Sequence, residues 1–236
     1  MNNRERIMAV FNRNKPDRTV WQPRLQHWYD VNKARGTLPE KYRGWDILEI
    51  YDELGASPRG YHYFNDTVKC VEGDNVKLLV EEDAEKIYRK YVTPKGVLTQ
   101  LQRKTEYGTT TMIREYFLKN SEDFEVLIYI LKHQNFEFSK DLYLRMEKWV
   151  GDRAEPIMNI RLGPIQRFLI AYMGFEKGVI ALWRHREEVE ELLGVIDENI
   201  GRMLEVIKKA PFRIVNFSDN IDENLCSPPI FRRYML

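Results

Sequence analysis

Residues 157–173, IMNIRLGPIQRFLIAYM, decide the reading of this chain. An apolar run without clean alternation gives way to Gly163-Pro164 and then to further apolar residues. That pattern predicts a strand covered on both faces, a break, and a helix that opens on proline. A second stretch of the same build, FRIVNFSDNIDENLCSPPIFRRYML, begins at Phe212. Between them RHREEVEELLGVIDENIGRMLEVIKKAP carries Val189, Leu192, Leu193, Ile196, Ile200, Met203 and Ile207 as one apolar stripe, and Pro211 stops it. The two strands and this helix predict one βαβ unit. A repeating strand–loop–helix unit predicts an α/β fold of the (β/α)8 TIM-barrel type, as one domain over residues 1–236. Such a barrel takes about 250 residues, and much of this chain is used elsewhere, so the expectation is a barrel truncated at its C-terminal end.

Outward from that unit, residues 3–13 predict a short amphipathic helix with Ile7, Val10 and Phe11 on one face, closed by Lys15-Pro16. TVWQPRLQ, residues 19–26, reads as a first strand with Arg24 at its far end. Residues 66–117 differ in kind: VKLLV, KIYRKYVT, GVLTQLQRK and TTTMIREYF alternate with EGDN, EEDAE, TPKG and TEYG. Thr93-Pro94-Lys95-Gly96 fits a β-turn, and the whole predicts an inserted antiparallel β-meander. Asn120-Ser121 ahead of Glu122 and Asp123 starts a helix bearing Phe124, Leu127, Ile128 and Leu131, and a second helix is expected over roughly 138–149.

With 37 basic and 36 acidic side chains, the net charge of +1 argues against a dedicated nucleic-acid or anionic-membrane binder. The two cysteines, Cys70 and Cys226, are far apart and in no CxxC pairing, so neither a disulfide framework nor a cysteine-only zinc site is expected. The N-terminus has no apolar signal region, and no apolar run approaches the ~18 residues of a membrane span. A cytoplasmic location follows by elimination.

Barrel logic puts candidate residues at strand ends: Arg24 after TVWQP, Arg161 after IMNI, and Ser218-Asp219-Asn220 with Asp222 after FRIVNF. The acids there suit a general acid or base, a cation ligand, or an acceptor for substrate N–H groups. The same cluster also reads as a solvated loop capping the next helix, and composition alone favours that. Tyr172 sits among apolar residues, where a tyrosine is more often core than catalyst. His27, beside the Arg24 strand end, is the most suggestive of the four histidines; His62, His133 and His185 have no ligand-spaced partners.

NRERIMAVFNRNKPDRTVWQPR, RLGPIQRFLIAYMGFEKG and SDNIDENLCSPPIFRRYML resemble corresponding segments of the uroporphyrinogen decarboxylase superfamily, over essentially Asn3 to Leu236. The resemblance implies a (β/α)8 barrel with a cleft at the strand ends. It also implies one of two activities, cofactor-free tetrapyrrole decarboxylation in porphyrin biosynthesis or zinc-dependent methyl transfer with corrinoid proteins. It makes Arg24 a clamp for substrate carboxylates and Tyr172 a cleft tyrosine, and puts Asp219 where the decarboxylase has a substrate-contacting serine. His27, Arg161 and Asp222 join Arg24 as expected substrate contacts. The decarboxylase pattern is broken at Trp28, which replaces a second arginine, and no FSDIL-like segment is found. The meander resembles the methyltransferase-type branch, so the leading expectation is methyl transfer, in the complete protein, between a corrinoid protein and a small thiol or similar acceptor. Zinc is expected only in the complete protein, its ligands lying beyond Leu236; a decarboxylase would need no cofactor. Tetrapyrrole decarboxylation and an inactive fragment are the alternatives. The partners so implied are a small-molecule substrate and a corrinoid protein, and the reading admits a homodimer.

Overall fold

The computed structural model describes residues 1–224 and 226–236. The chain opens with α1 (Asn3–Phe11), started by a capping box in which the Asn2 side chain accepts the Glu5 N–H at 2.8 Å and the Glu5 carboxylate accepts the Asn2 N–H at 2.9 Å. It continues through α2 (Leu25–Arg35), α3 (Ile47–Glu53), capped in the same way by Asp46, and α4 (Tyr61–Phe64). Five strands follow: β1 (Val68–Glu72), β2 (Lys77–Glu82), β3 (Lys86–Thr93), β4 (Gly96–Lys104) and β5 (Thr111–Glu115). Then come α5 (Asp123–His133), β6 (Gln134–Phe138), α6 (Lys140–Val150) and β7 (Ile157–Ile160). A short α7 (Pro164–Gln166) runs into a π-helical segment, Arg167–Tyr172. The chain ends with α8 (Phe175–Arg184), α9 (Arg186–Lys209), β8 (Ile214–Phe217) and α10 (Pro228–Tyr234).

The expected barrel is not what these strands form. They sort into three separate sheets, β1–β6, β2–β3–β4–β5 and β7–β8, and no sheet closes among the described residues. Connection length is the physical reason. Turns of a few residues between β2 and β5 can only return the chain antiparallel, whereas a parallel barrel needs a crossover after every strand. Only β7 and β8 have such a crossover: the Ser218 N–H donates to the Ile160 carbonyl at 3.2 Å and Asn216 reaches Asn159, so the residue numbers rise together. TVWQPRLQ forms no strand. Its first part is irregular, Leu25 already opens α2, and Pro23 has no ladder donor to offer. Conversely β6 is a strand that the sequence reading lacks.

The meander does form, as β2 to β5 with a register running from Lys77 opposite Val92 to Thr93 opposite Gly96, and a bulge at Leu101/Gln102. The Thr93 hydroxyl donates to the Gly96 carbonyl at 3.0 Å across the expected turn.

The chain divides into two compact bodies, with β7 and β8 each contributing residues to both. The first body comprises residues 1–68, 138–158 and 211–215. Its core is aromatic: Phe64, fully buried, lies 5.3 Å from the Tyr143 ring and 6.5 Å from Phe212, and Phe138 lies 5.6 Å from Tyr143. A smaller cluster joins Ile7, Ile157 and Ile214. Glu155, 1% exposed, takes two hydrogen bonds from Arg213 at 2.7 and 2.5 Å and lies 3.9 Å from Arg4, which itself bonds Glu147 and the Ala154 and Gly151 carbonyls. The second body comprises residues 69–137, 159–210 and 216–236. There α5 packs on α9, and the Asn199 amide on α9 donates to the Leu131 carbonyl and to Gln134 at 3.2 Å each. Among the described residues no helix is long and apolar enough to cross a membrane.

Candidate functional site

In open α/β sheets ligands bind just beyond the carboxyl ends of parallel strands, so the ends of β7 and β8 in the second body are the place to look. β7 is apolar and buried, and its chain emerges at the exposed Arg161 before Gly163 and Pro164 begin α7. The end of β8 returns Ser218, Asp219 and Asn220 to the same place. The Asp219 Oδ1 accepts the Gly163 N–H at 2.7 Å. A Cβ on residue 163 would stand only 2.8 Å from Asp219 Oδ2, so glycine is what lets this carboxylate sit against the backbone.

Next to it Gln166, 3% exposed, donates to the Asn220 carbonyl at 2.7 Å and accepts the Asn220 N–H at 2.8 Å. That two-point clamp fixes the loop after β8 onto the helix after β7. The Ser218 hydroxyl donates to Asn159 Oδ1 at 2.5 Å, and Asn216 donates to both. The polar groups at these strand ends are therefore cross-linked between the two loops rather than merely near each other.

Tyr172 closes the π-helical segment, a widened turn that recurs at functional sites because it re-aims side chains out of α-helical phase. Gly174 follows at φ 86°, with the Tyr116 ring against the spot where a Cβ would stand. Burial holds the Tyr172 phenol above its ordinary pKa, opposed by the guanidinium of Arg167 beside it. Arg167 also donates to the Leu162 carbonyl at 3.1 Å, which ties the tyrosine's surroundings to the β7 end. Cys70 and Glu72 on β1 share this electrostatic neighbourhood. Cys70 itself is exposed, but partial desolvation of its thiol and then the Glu72 carboxylate push that thiol up to about 11. Glu72 is itself held by the Tyr91 hydroxyl at 3.0 Å and by Gln134 at 3.1 Å.

Of the residues expected from sequence, Asp219 stands against Gly163 at the head of the Leu162–Tyr172 segment, and Tyr172 closes that segment. Arg161 is exposed at the head of the same segment. Asp222 accepts the Asn224 N–H at 2.9 Å in an Asx turn, while the helix that follows, Pro228–Tyr234, has no side-chain cap. Arg24 and His27 belong to the first body, both exposed, Arg24 as the residue before α2 with no side-chain capping bond. There Arg24 bears on His62. Desolvation, then Arg59 and Arg24, hold His62 below its ordinary pKa, while Asp30 opposes them. Sequence reasoning passed over Gln166, Arg167, Asn159 and His62. Only Gln166 and Arg167 carried a signal, being the polar residues of an otherwise apolar first helical turn after Gly-Pro.

The residues in hand do not fit a zinc ion. Among the described residues no three His, Cys, Asp or Glu side chains come together as a ligand set. Cys226 is buried against Met235 with its thiol raised by burial and by Asp219 and Asp222, and a raised thiol is a poor ligand. No protein-family model, curated protein or solved structure matches this chain.

Proposed function

We propose that this chain serves an enzyme of the uroporphyrinogen decarboxylase superfamily, of the type that moves a methyl group between a corrinoid protein and a small thiol or similar acceptor. The observation that carries this reading is the Asp219–Gly163 contact. It joins the two segments on which the resemblance rests, 56 residues apart, at the position where parallel strand ends bind ligands. The antiparallel sheet β2–β5 is the second support, since the meander is what favours the methyl-transfer branch.

In this reading Asp219, with Oδ1 occupied by the Gly163 N–H, uses Oδ2 to take the proton of the acceptor thiol. The sulfur supplies the electron pair of the new S–C bond, and the carrier keeps the pair of the bond that breaks. The test is to incubate the purified chain with methylcobalamin and a small thiol and follow the corrinoid absorbance. Turnover that Asp219→Asn removes supports the reading, and an unchanged spectrum with wild-type protein sinks it.

A second reading, tetrapyrrole decarboxylation, is favoured by a different observation: Arg24 and Arg59 together set the field around His62 in the first body, a basic group suited to carboxylates. If Arg24→Ala leaves tetrapyrrole binding unchanged, that reading loses its best residue.

A further inference from the structure

The meander breaks a pairing rule of its own strands. Across the β3–β4 ladder Lys86 stands directly opposite Arg103, and like charges so placed destabilise a sheet. On β5 the register steps from Glu115 opposite Leu101 to Ile113 opposite Gln102, so Arg114 is the extra residue of a bulge. Bulges re-aim side chains, and here all three cations line one cavity of about 280 Å³ together with Glu85, Leu101 and Gln102. Little offsets their charge. Among the described residues the Arg103 and Arg114 guanidinium groups have no hydrogen-bond or ion-pair partner. Lys86 lies 4.0 Å from Asp83, an exposed pair worth little, and Asp83 Oδ1 already accepts the Glu85 and Lys86 N–H groups at 2.8 and 2.9 Å. Lys104, the next cation along β4, is by contrast held by Glu82 at 2.6 Å and by the Asp83 carbonyl at 2.7 Å. Local rules broken without compensation are expected at functional sites.

We propose that this cavity binds a small phosphate-bearing molecule, its phosphoryl oxygens held by Arg103 and Arg114, with Lys86 adding its charge. Arginine suits the task, because its planar fork of donors matches two oxygens of one phosphate, while a lysine ammonium adds a point charge. Three cations meet one carboxylate, Glu85, and that excess favours a phosphomonoester dianion over a monocarboxylate. Size limits the ligand. The cavity falls just below the ~300–1,000 Å³ of pockets for drug-sized molecules, so the occupant is one phosphate on a short stem rather than a nucleotide. The net charge of +1 agrees, since a nucleic-acid backbone asks for a longer basic stripe. None of these residues takes part in the reaction proposed above, and the inference does not depend on it.

The test is isothermal titration calorimetry of methyl phosphate into the purified chain at low salt, with acetate as the control anion. Wild type binds methyl phosphate saturably and acetate far more weakly. Arg103→Gln and Arg114→Gln each weaken the phosphate about tenfold or more, the loss expected for a charged hydrogen bond. Lys90→Gln removes a cation from the same sheet but not from the cavity, and leaves binding unchanged. Arg103→Glu abolishes binding and raises the melting temperature, because it turns the like pair with Lys86 into an opposite one. That gain separates loss of the site from loss of the fold. No binding by wild type at millimolar methyl phosphate overturns the proposal, as does acetate binding equally well. So does binding that Arg103→Gln leaves intact, an equal loss in Lys90→Gln, or a lower melting temperature in Arg103→Glu.

Discussion

The two bodies are built on different materials. The first has hardly any sheet of its own; rings meeting edge to face around Phe64, Tyr143 and Phe212, and the Glu155 carboxylate gripped by Arg213, hold together segments distant in sequence. The second rests on backbone ladders and on the long α9, and spends its polar side chains at the ends of β7 and β8. Side-chain cores are sensitive to deletion of single large groups, whereas ladders distribute stability over many bonds. The second body can therefore carry a polar, cross-linked site without relying on it for its core.

The largest expected effect tests the aromatic half of that contrast. Phe64→Ala removes a fully buried ring and should cost about 3–5 kcal/mol. Urea unfolding followed by tryptophan fluorescence reads it, because Trp21, Trp28, Trp45 and Trp149 all lie in the first body and only Trp183 in the second. The contrast breaks if the midpoint hardly moves.

Next comes a chemical test in the second body. Cys70 has a thiol raised to about 11 from the ordinary 9.0, so near pH 8 it should alkylate with iodoacetamide about a hundredfold more slowly than an unperturbed thiol. The sign is fixed by linkage. Below about pH 9 the thiol is protonated in both folded and unfolded chains; as pH rises toward 11 the unfolded chain loses its proton first, and this contribution to stability is lost. Cys226→Ser isolates the signal, and an ordinary rate at pH 8 would contradict the assignment.

Gly163→Ala should cost the site more than the fold. The added methyl displaces the Asp219 carboxylate, giving about tenfold loss of methyl transfer with roughly 1 kcal/mol of stability. An active variant would show that Asp219 does not need this seat. The last test returns to the first body. Glu155→Gln removes the buried charge but leaves Arg213, half exposed, able to find water, and should cost about 1–2 kcal/mol in thermal melting.

What the sequence made legible follows the range of the interactions. The strand–Gly-Pro–helix at 157–173, the long helix and the meander are local, written in apolar spacing and turn residues, and each forms. Barrel closure is not local. It depends on strands finding parallel neighbours, and nothing in TVWQPRLQ says that Pro23 and an early helix start leave it unpaired. β6, five residues wedged between α5 and α6, is too short to announce a period. The π-helical segment was also hidden, since widening one turn changes no residue type. Asp219 was legible as a candidate because it sits at a strand end, and Tyr172 only through the resemblance carried by RLGPIQRFLIAYMGFEKG. The grip of Gln166 on Asn220 was not, because it pairs a side chain with a backbone 54 residues away.

The most direct test of the central claim is the corrinoid absorbance assay run side by side on wild type and Asp219→Asn. The account predicts demethylation of methylcobalamin by a small thiol with wild-type protein, and a loss of about a hundredfold or more in the variant, as expected when a positioned base is removed. Equal rates in the two proteins, or no demethylation by either, would contradict it.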